Sequence, residues 1–280
     1  MSDKRPLVSI CIPVYNNADY IGETIDSILS QTYENIELIM VDDNSTDDSY
    51  RVLQDYAGRD QRVKIYKNES NLGMSGNWNR CLELCTGEIM KLVCADDLLS
   101  PRIIERELEV FENHPEVVLV DSDTRLVTLD GKYRGWYRRY PSSGVVDGAT
   151  IARKGFFSQN YFGAPQANSF RRSAYEKVGG ISPEFHYIVD YDFFVSIAKL
   201  GKVFIIHEPL NFFRVRGDSN TGQVMGGDKE KTEVYVDEHY RLFKKNQEDL
   251  NLSEADIKRA VAMRKLRCFL GGLYLKIFVH

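Results

Sequence analysis

The chain has 280 residues, 43% hydrophobic and 28% charged, with a formal net charge of -5 and a pI near 5.7. That balance suits one large globular core or two fused layers and argues against nucleic-acid binding, which needs a basic surface. Five cysteines, odd in number and without a C-x-x-C pair, indicate neither a disulfide framework nor a zinc site.

The first half alternates strands and helices. Leu7–Val14 is an apolar, β-branched run that reads as a fully buried strand. Ala18–Gln31 places Ile21, Ile25, Ile28 and Leu29 at helical spacing, and Ile36–Val41 is the next strand. Thr46–Gly58 reads as a helix, Val63–Tyr66 as a short strand, and Ser75–Cys85 as a helix broken by Thr86-Gly87. Glu88–Cys94 is again a strand. Strands joined by helical crossovers make a parallel sheet. This unit spans residues 1–98.

The second half is less regular. Helices are expected over 100–114, 147–157 and 190–200, and strands over 117–120, 126–129, 167–171 and 203–215, with Asp130-Gly131 as a turn. Residues 217–229 read as a long mobile loop. Residues 99–225 complete the domain, and 226–280 form a helical, basic amphipathic tail. Cys11, Cys94 and Cys268 lie in apolar runs, as reduced thiols of a cytosolic protein do. No secretory signal and no run of about 18 uncharged apolar residues is visible.

Three acidic clusters each follow a hydrophobic run: Asp42-Asp43, Asp96-Asp97, and Asp190 with Asp192. Carboxylates at the ends of parallel strands face the crevice where open α/β sheets bind ligands. Asp43 can accept the N3–H of uracil, or it can cap the following helix. Asp96 and Asp97 are costly at a buried strand end unless a cation sits there, and a metal bridging a pyrophosphate would neutralise them. A helix start is the alternative. Asp190 shares a helix face with Phe193, Phe194 and Ile197, so it would look into a cleft, raise its pKa and serve as a base; an N-cap aspartate is the alternative.

Other features are weaker. Val120-Asp121-Ser122-Asp123-Thr124-Arg125 is near an aspartate-nucleophile phosphatase pattern, but its last position is Arg125. There is no G-x-G-x-x-G, Walker A or G-x-S-x-G motif. Trp136-Tyr137-Arg138-Arg139-Tyr140 is a sugar- or lipid-phosphate-facing run or an edge strand. Arg171, Arg172, Arg214 and Arg216 could meet a diphosphate or stay solvated. Residues 255–280 interleave basic and apolar side chains, which suits a membrane surface or a docked helix.

Val8–Asn16, Ser27–Tyr33, Val41–Asp47, Asn71-Leu72-Gly73, Asn79-Arg80, Gly87-Glu88-Ile89 and Ala95-Asp96-Asp97 together resemble family 2 inverting glycosyltransferases. The match is close over residues 7–100 and looser through Val178-Gly179-Gly180 to Asp190 and Phe213-Arg214. The resemblance implies a GT-A fold, a Rossmann-like, mostly parallel sheet flanked by helices, with a C-terminal helical extension. It implies a nucleotide-sugar donor, a UDP-sugar by preference, and Mn²⁺ or Mg²⁺. Pro13, Val14 and Tyr15 would line the nucleoside pocket, and Asp43 would contact the base. Asn71, Gly73, Asn79, Arg214 and Arg216 would complete the donor site. Asp96 would contact the ribose or the metal shell, Asp97 would ligate the metal, and Asp190 would be the catalytic base.

Departures from the pattern are Cys94 in place of an acid, Trp78 in place of a basic residue, and Arg216 in place of a histidine. The Q-x-x-R-W signature of processive synthases is absent, so transfer of a single sugar is expected. The acceptor would be a sugar or a lipid-linked glycan in cell-surface polysaccharide or glycolipid assembly. A cytoplasmic protein, peripheral at the inner face of the membrane, and a homo-oligomer are further expectations. A non-catalytic sugar-nucleotide-binding or scaffold protein would keep Asp43 and the metal pair without needing Asp190. A nucleotidyltransferase would need a Gly-rich basic loop where Pro13-Val14-Tyr15-Asn16 stands.

Overall fold

A computed structural model of the chain describes residues 5–128, 131–138, 140–215 and 228–278. The first part runs β1 (Val8–Val14), α1 (Ala18–Leu29), β2 (Ile36–Asp42), α2 (Ser49–Ala57), β3 (Val63–Lys67), α3 (Gly73–Leu84) and β4 (Ile89–Leu92). It continues with β5 (Leu98–Leu99), α4 (Ile103–Asn113), β6 (Val117–Val127), β7 (Tyr133–Tyr137), β8 (Gly144–Asp147) and α5 (Gly148–Phe157). Then come β9 (Asn168–Arg171), α6 (Arg172–Val178), α7 (Val189–Ala198), β10 (Lys202–Arg214), α8 (Lys229–Lys245) and α9 (Glu254–Phe278).

All ten strands join one sheet in the order β3-β2-β1-β4-β9-β6-β10-β5, with β7 added beside β6 and β8 beside β10. β3, β2, β1 and β4 are mutually parallel. β9 then runs antiparallel to both β4 and β6, while β6 and β10 are parallel. Helices cover both faces, so β1 and β2 are apolar on both sides. Ile10 and Ile12 of β1 pack with Ile21, Ile25 and Ile28 of α1 and with α4. Cys11 points the other way, into a core that holds Cys81, Cys85, Phe170, Phe193 and Phe243. The two faces thus follow from the strand period of two and the helix period of 3.6.

Gly87, the helix breaker before β4, is required by close approach. A Cβ there would lie 2.5 Å from the Leu7 carbonyl oxygen and 2.7 Å from the Ser9 nitrogen. The Gly87 amide donates to Ser9 Oγ at 2.7 Å.

Two expectations change. The polar run Asp121-Ser122-Asp123-Thr124 is not a gap between two short strands but the buried middle of β6. β6 is hydrogen-bonded on both sides, and some of its polar side chains find internal partners, although Thr124 Oγ1 and Asp123 Oδ2 have no hydrogen-bond partner among the described residues. Asn211 Nδ2 donates to Ser122 Oγ and to the Asp123 carbonyl, both at 3.1 Å. The Arg138 guanidinium lies 3.6 Å from the Asp123 carboxylate. Cys94 is only partly buried, whereas Cys81 and Cys85 are buried along with Cys11 and Cys268.

The tail forms two helices. Ile257, Ala260, Arg264 and Cys268 are buried at helical spacing, so this part of α9 is docked on the domain. Met263, Leu266 and Phe269 face outward. No helix among the described residues is long and apolar enough to cross a membrane. The expected loop 217–229 lies, up to residue 227, outside the described residues.

Candidate active site

The order β2-β1-β4 places the ends of three parallel strands side by side. The chain builds outward from β1 to β3 and then returns to the other side of β1 with β4. That reversal opens a crevice between neighbouring strand ends. Tyr15, Asp43 and the turn Cys94–Asp97 all leave the sheet along this one edge.

β1 carries Pro13 and Val14 to the edge, with Val14 fully buried and Tyr15 about half exposed. Asn16 adopts a left-handed φ of 52°. Its Oδ1 accepts the Thr46 amide at 2.9 Å, and its own amide donates to Ser45 Oγ at 3.0 Å. The β1–α1 and β2–α2 loops are thereby locked together, as Asn and Ser side chains in turns favour.

Asp43 is buried, and its amide donates to the Val14 carbonyl at 2.8 Å. Its carboxylate accepts Asn68 Nδ2 at 2.7 Å, the Leu72 amide at 2.8 Å and the Gly73 amide at 3.0 Å. A carboxylate has about four lone-pair sites, so Asp43 can accept one more donor, such as an imide N–H. It also anchors the start of α3 from a distance. Asn71 is exposed and accepts the Gly73 amide at 2.9 Å. Gly73 has a φ of 73°, a conformation that suits glycine.

Asn79 bridges two parts of the chain. Its Oδ1 accepts the Ile181 amide at 2.7 Å and its Nδ2 donates to the Ile181 carbonyl at 2.8 Å. Both ends of the side chain therefore tie α3 to the segment that leads into α7. Gly180 makes room for it, since a Cβ there would lie 2.8 Å from Asn79 Oδ1.

Asp96 and Asp97 differ sharply. Asp97 is buried, and its Oδ1 accepts the Arg214 amide at 2.9 Å. Burial and then the neighbouring Asp96 carboxylate push Asp97 well above the usual carboxylate range, against the pull of Arg214 and Gln166. Asp96 is only half-buried. Asp97 ties the turn to β10, and Asp96, beside it, is the more exposed of the two acids.

Arg214 sits with its guanidinium on Glu23 of α1 and 5.8 Å from the Tyr20 ring centre. It is buried, and its Nε has no partner among the described residues. A diphosphate would meet this group only by displacing the exposed Glu23 side chain. Arg216 lies outside the described residues.

Asp190 stands in the first turn of α7, half-buried, with one carboxylate oxygen accepting the Tyr191 amide at 2.8 Å. It comes close to the β4 turn. The Cys94 thiol is pushed well above its ordinary value by burial, then by the charges of Asp97, Asp96 and Asp190. Carboxylates from two distant parts of the chain therefore act on one thiol.

No group of three metal-ligating side chains occurs among the described residues. A hard divalent cation can still be held by one or two carboxylates together with substrate phosphates and water. The oxygen donors of Asp96 and Asp97 fit that mode.

Asn68, Asn77, Glu23 and Gln166 were not anticipated. Asn68 and Asn77 hydrogen-bond to each other at 3.1 Å, and Asn77 donates to the Val41 carbonyl at 3.1 Å. The asparagine-rich stretch Asn68–Asn79 was the available signal.

A family model described as Glycosyl transferase family 2 matches residues 9–179. An uncharacterised glycosyltransferase of Haemophilus influenzae is 28% identical over 220 residues, covering 77% of this chain and 68% of that protein. The crystal structure of S. aureus TarS 1–349 in complex with UDP-GlcNAc matches with a TM-score of 0.69 at 17% identity, over 98% of this chain and 76% of that one. The mannosyltransferase PcManGT from Pyrobaculum calidifontis, in complex with GDP-Man and Mn²⁺, matches with a TM-score of 0.62 at 18% identity, over 98% and 81%. At these identities the two structures speak to the fold.

Proposed function

The chain belongs to glycosyl transferase family 2, and from that premise we propose that it transfers a single sugar from a nucleoside-diphosphate sugar to an acceptor hydroxyl with inversion at the anomeric carbon. The observation that carries the reading is that Asp43, after β2, and Asp96-Asp97, after β4, leave neighbouring parallel strands at the edge where β1 ends. In this reading that edge would receive the nucleoside and the diphosphate, and Asp190 would supply the base.

Asp190 takes the proton of the acceptor hydroxyl. The oxygen attacks the anomeric carbon from the face opposite the nucleoside diphosphate, which leaves. Pro13, Val14 and Tyr15 flank the nucleoside, and Asp43 offers its remaining acceptor position to the base. A uracil presents an imide N–H to that position, and a UDP-sugar is the donor favoured. Asp96 would hold Mn²⁺ or Mg²⁺, which as a Lewis acid stabilises the departing diphosphate. Arg214, once released from Glu23, adds a second positive group there.

The acceptor is a sugar or a lipid-linked glycan. Support for a membrane-proximal acceptor comes from α9, where exposed Met263, Leu266 and Phe269 alternate with exposed Lys258, Arg259 and Lys265.

Calorimetric titration with UDP and GDP, each with and without Mn²⁺, tests the donor side. Metal-dependent binding of UDP in preference to GDP is expected. A folded protein that binds neither nucleotide in the presence of Mn²⁺ would overturn the assignment of Asp43 and Asp96. On the catalytic side, Asp190→Asn is expected to bind UDP normally and to lose most turnover, about 10²-fold or more.

A further inference from the structure

Helix α8 lies beyond the residues matched by the family model, yet one of its faces is committed to the segment that carries Asp190. Glu238 is buried. Its two carboxylate oxygens accept the backbone amides of His186, at 2.7 Å, and Tyr187, at 2.8 Å. One helical turn on, Arg241 Nη1 donates to the Glu184 carbonyl at 3.2 Å, and its guanidinium lies 5.4 Å from the Phe185 ring centre. One further turn on, Lys245 Nζ donates to both carboxylate oxygens of Asp192, at 2.8 and 2.9 Å. Asn246 then accepts Lys199 Nζ, at the far end of α7, at 2.6 Å.

Residues 238, 241 and 245 share a helix face by their spacing of three and four. Together they hold residues 184–187 and 192, on both sides of Asp190. The turn they hold has no regular secondary structure between α6 and α7, so its amides need partners from elsewhere. Glu238 supplies two of them with a charged acceptor, the stronger kind of hydrogen bond.

We infer that α8 is a brace for the catalytic turn, in which Glu238 and Lys245 are positioning residues that fix the direction in which Asp190 points. This rests on the reading of Asp190 as the base. Glu238 acts through the backbone of 186–187, and Lys245 through Asp192. A base displaced by even 1 Å loses much of its effect, and outer residues that orient a reacting group are worth a comparable factor. Asn79 acts from the opposite side in the same sense, holding Ile181 at the start of this segment.

The experiment uses the full chain and compares wild type, Asp190→Asn, Glu238→Gln, Lys245→Met and Lys245→Arg. UDP binding in the presence of Mn²⁺ is read by calorimetry. Hydrolysis of UDP-glucose, UDP-galactose and UDP-GlcNAc to UDP and free sugar gives kcat and KM. Glu238→Gln keeps the size of the side chain but offers one carbonyl oxygen to two amides. It is expected to lower kcat about tenfold or more with KM and UDP affinity unchanged. Lys245→Met should act in the same direction, and Lys245→Arg should restore most of the rate.

A Glu238→Gln protein with wild-type kcat overturns the brace while Asp190→Asn, if inactive, leaves the functional reading standing. An Asp190→Asn protein with wild-type kcat overturns the reading and the brace's purpose with it, as does a wild type that hydrolyses none of the three donors. Equal loss of UDP affinity and rate in the Glu238 and Lys245 variants marks a general folding role and also overturns the inference.

Discussion

Adjacent aspartates in the turn after β4 carry unlike burdens. Asp97 is buried and accepts the Arg214 amide, whereas Asp96 is only half-buried. Asp96→Asn is therefore expected to abolish the Mn²⁺-dependent part of UDP binding, while Asp97→Asn, which keeps an acceptor for the amide, retains it; calorimetry on the two variants checks this. Glu23 makes a related prediction. It holds the Arg214 guanidinium in the absence of ligand, so Glu23→Gln should tighten UDP·Mn²⁺ binding several-fold at low salt if Arg214 meets the diphosphate. The doublet Asp96-Asp97 was legible in the sequence because it ends an apolar strand. Their unequal burial was not, since Asp97 is held by a partner 117 residues further along the chain. Asn79 shows the same limit: its identity was visible, but its bond to Ile181 spans 102 residues.

Elements were easier to read where one period dominates. The buried strands β1 and β2 and the helix α1 stand within a residue or two of their expected bounds. β6 was read as two pieces because its middle is polar, and period alone carries no information on internal hydrogen-bond partners. Glu37 on β2 is a similar case of a buried acid in a strand. Burial alone would raise its pKa, but the Lys64 ammonium, Ser9 and Thr86 outweigh this and hold it at about 2, below its ordinary 4.5. Lys64 Nζ lies 2.7 Å from one oxygen and the Thr86 amide 2.6 Å from the other. Because the folded value lies below the unfolded one, this stabilisation is complete above pH 4.5 and is lost as pH falls toward 2. It amounts to about 3 kcal/mol. Glu37→Gln is expected to lower stability at neutral pH and to flatten the acid limb of an unfolding-versus-pH curve between those two values. A Gly87→Ala change in the same neighbourhood should cost about 1–3 kcal/mol in denaturant unfolding, because the Cβ meets backbone atoms that cannot yield.

Across the whole molecule, the parallel half meets the antiparallel half at β4 and β9. That seam holds a buried ion pair. Lys91 Nζ reaches Glu107 at 2.7 Å, and Ser169 Oγ donates to the same carboxylate at 2.6 Å. Burial pulls Lys91 down and pushes Glu107 up, and each charge is tolerable only beside the other. Lys91→Met alone is expected to cost about 3–5 kcal/mol, and Lys91→Met with Glu107→Leu to recover most of it; urea unfolding of the three proteins checks this. The mostly parallel sheet and its helical extension were foreseeable from alternating strand and helix patterns. The seam was not, because the apolar run around Lys91 does not show which acid it meets.

β10 pairs with β5, β6 and β8, strands that precede it by some 60 to 110 positions. During synthesis the β1–β4 unit can close as soon as it leaves the ribosome, but residues 98–147 must wait for residue 214 before their edges are satisfied. The polar middle of β6 keeps that waiting strand soluble, which a purely apolar strand of the same length would not do. The acids that make the later half unusual as a core are thus also what lets a nascent chain reach its last strand without aggregating.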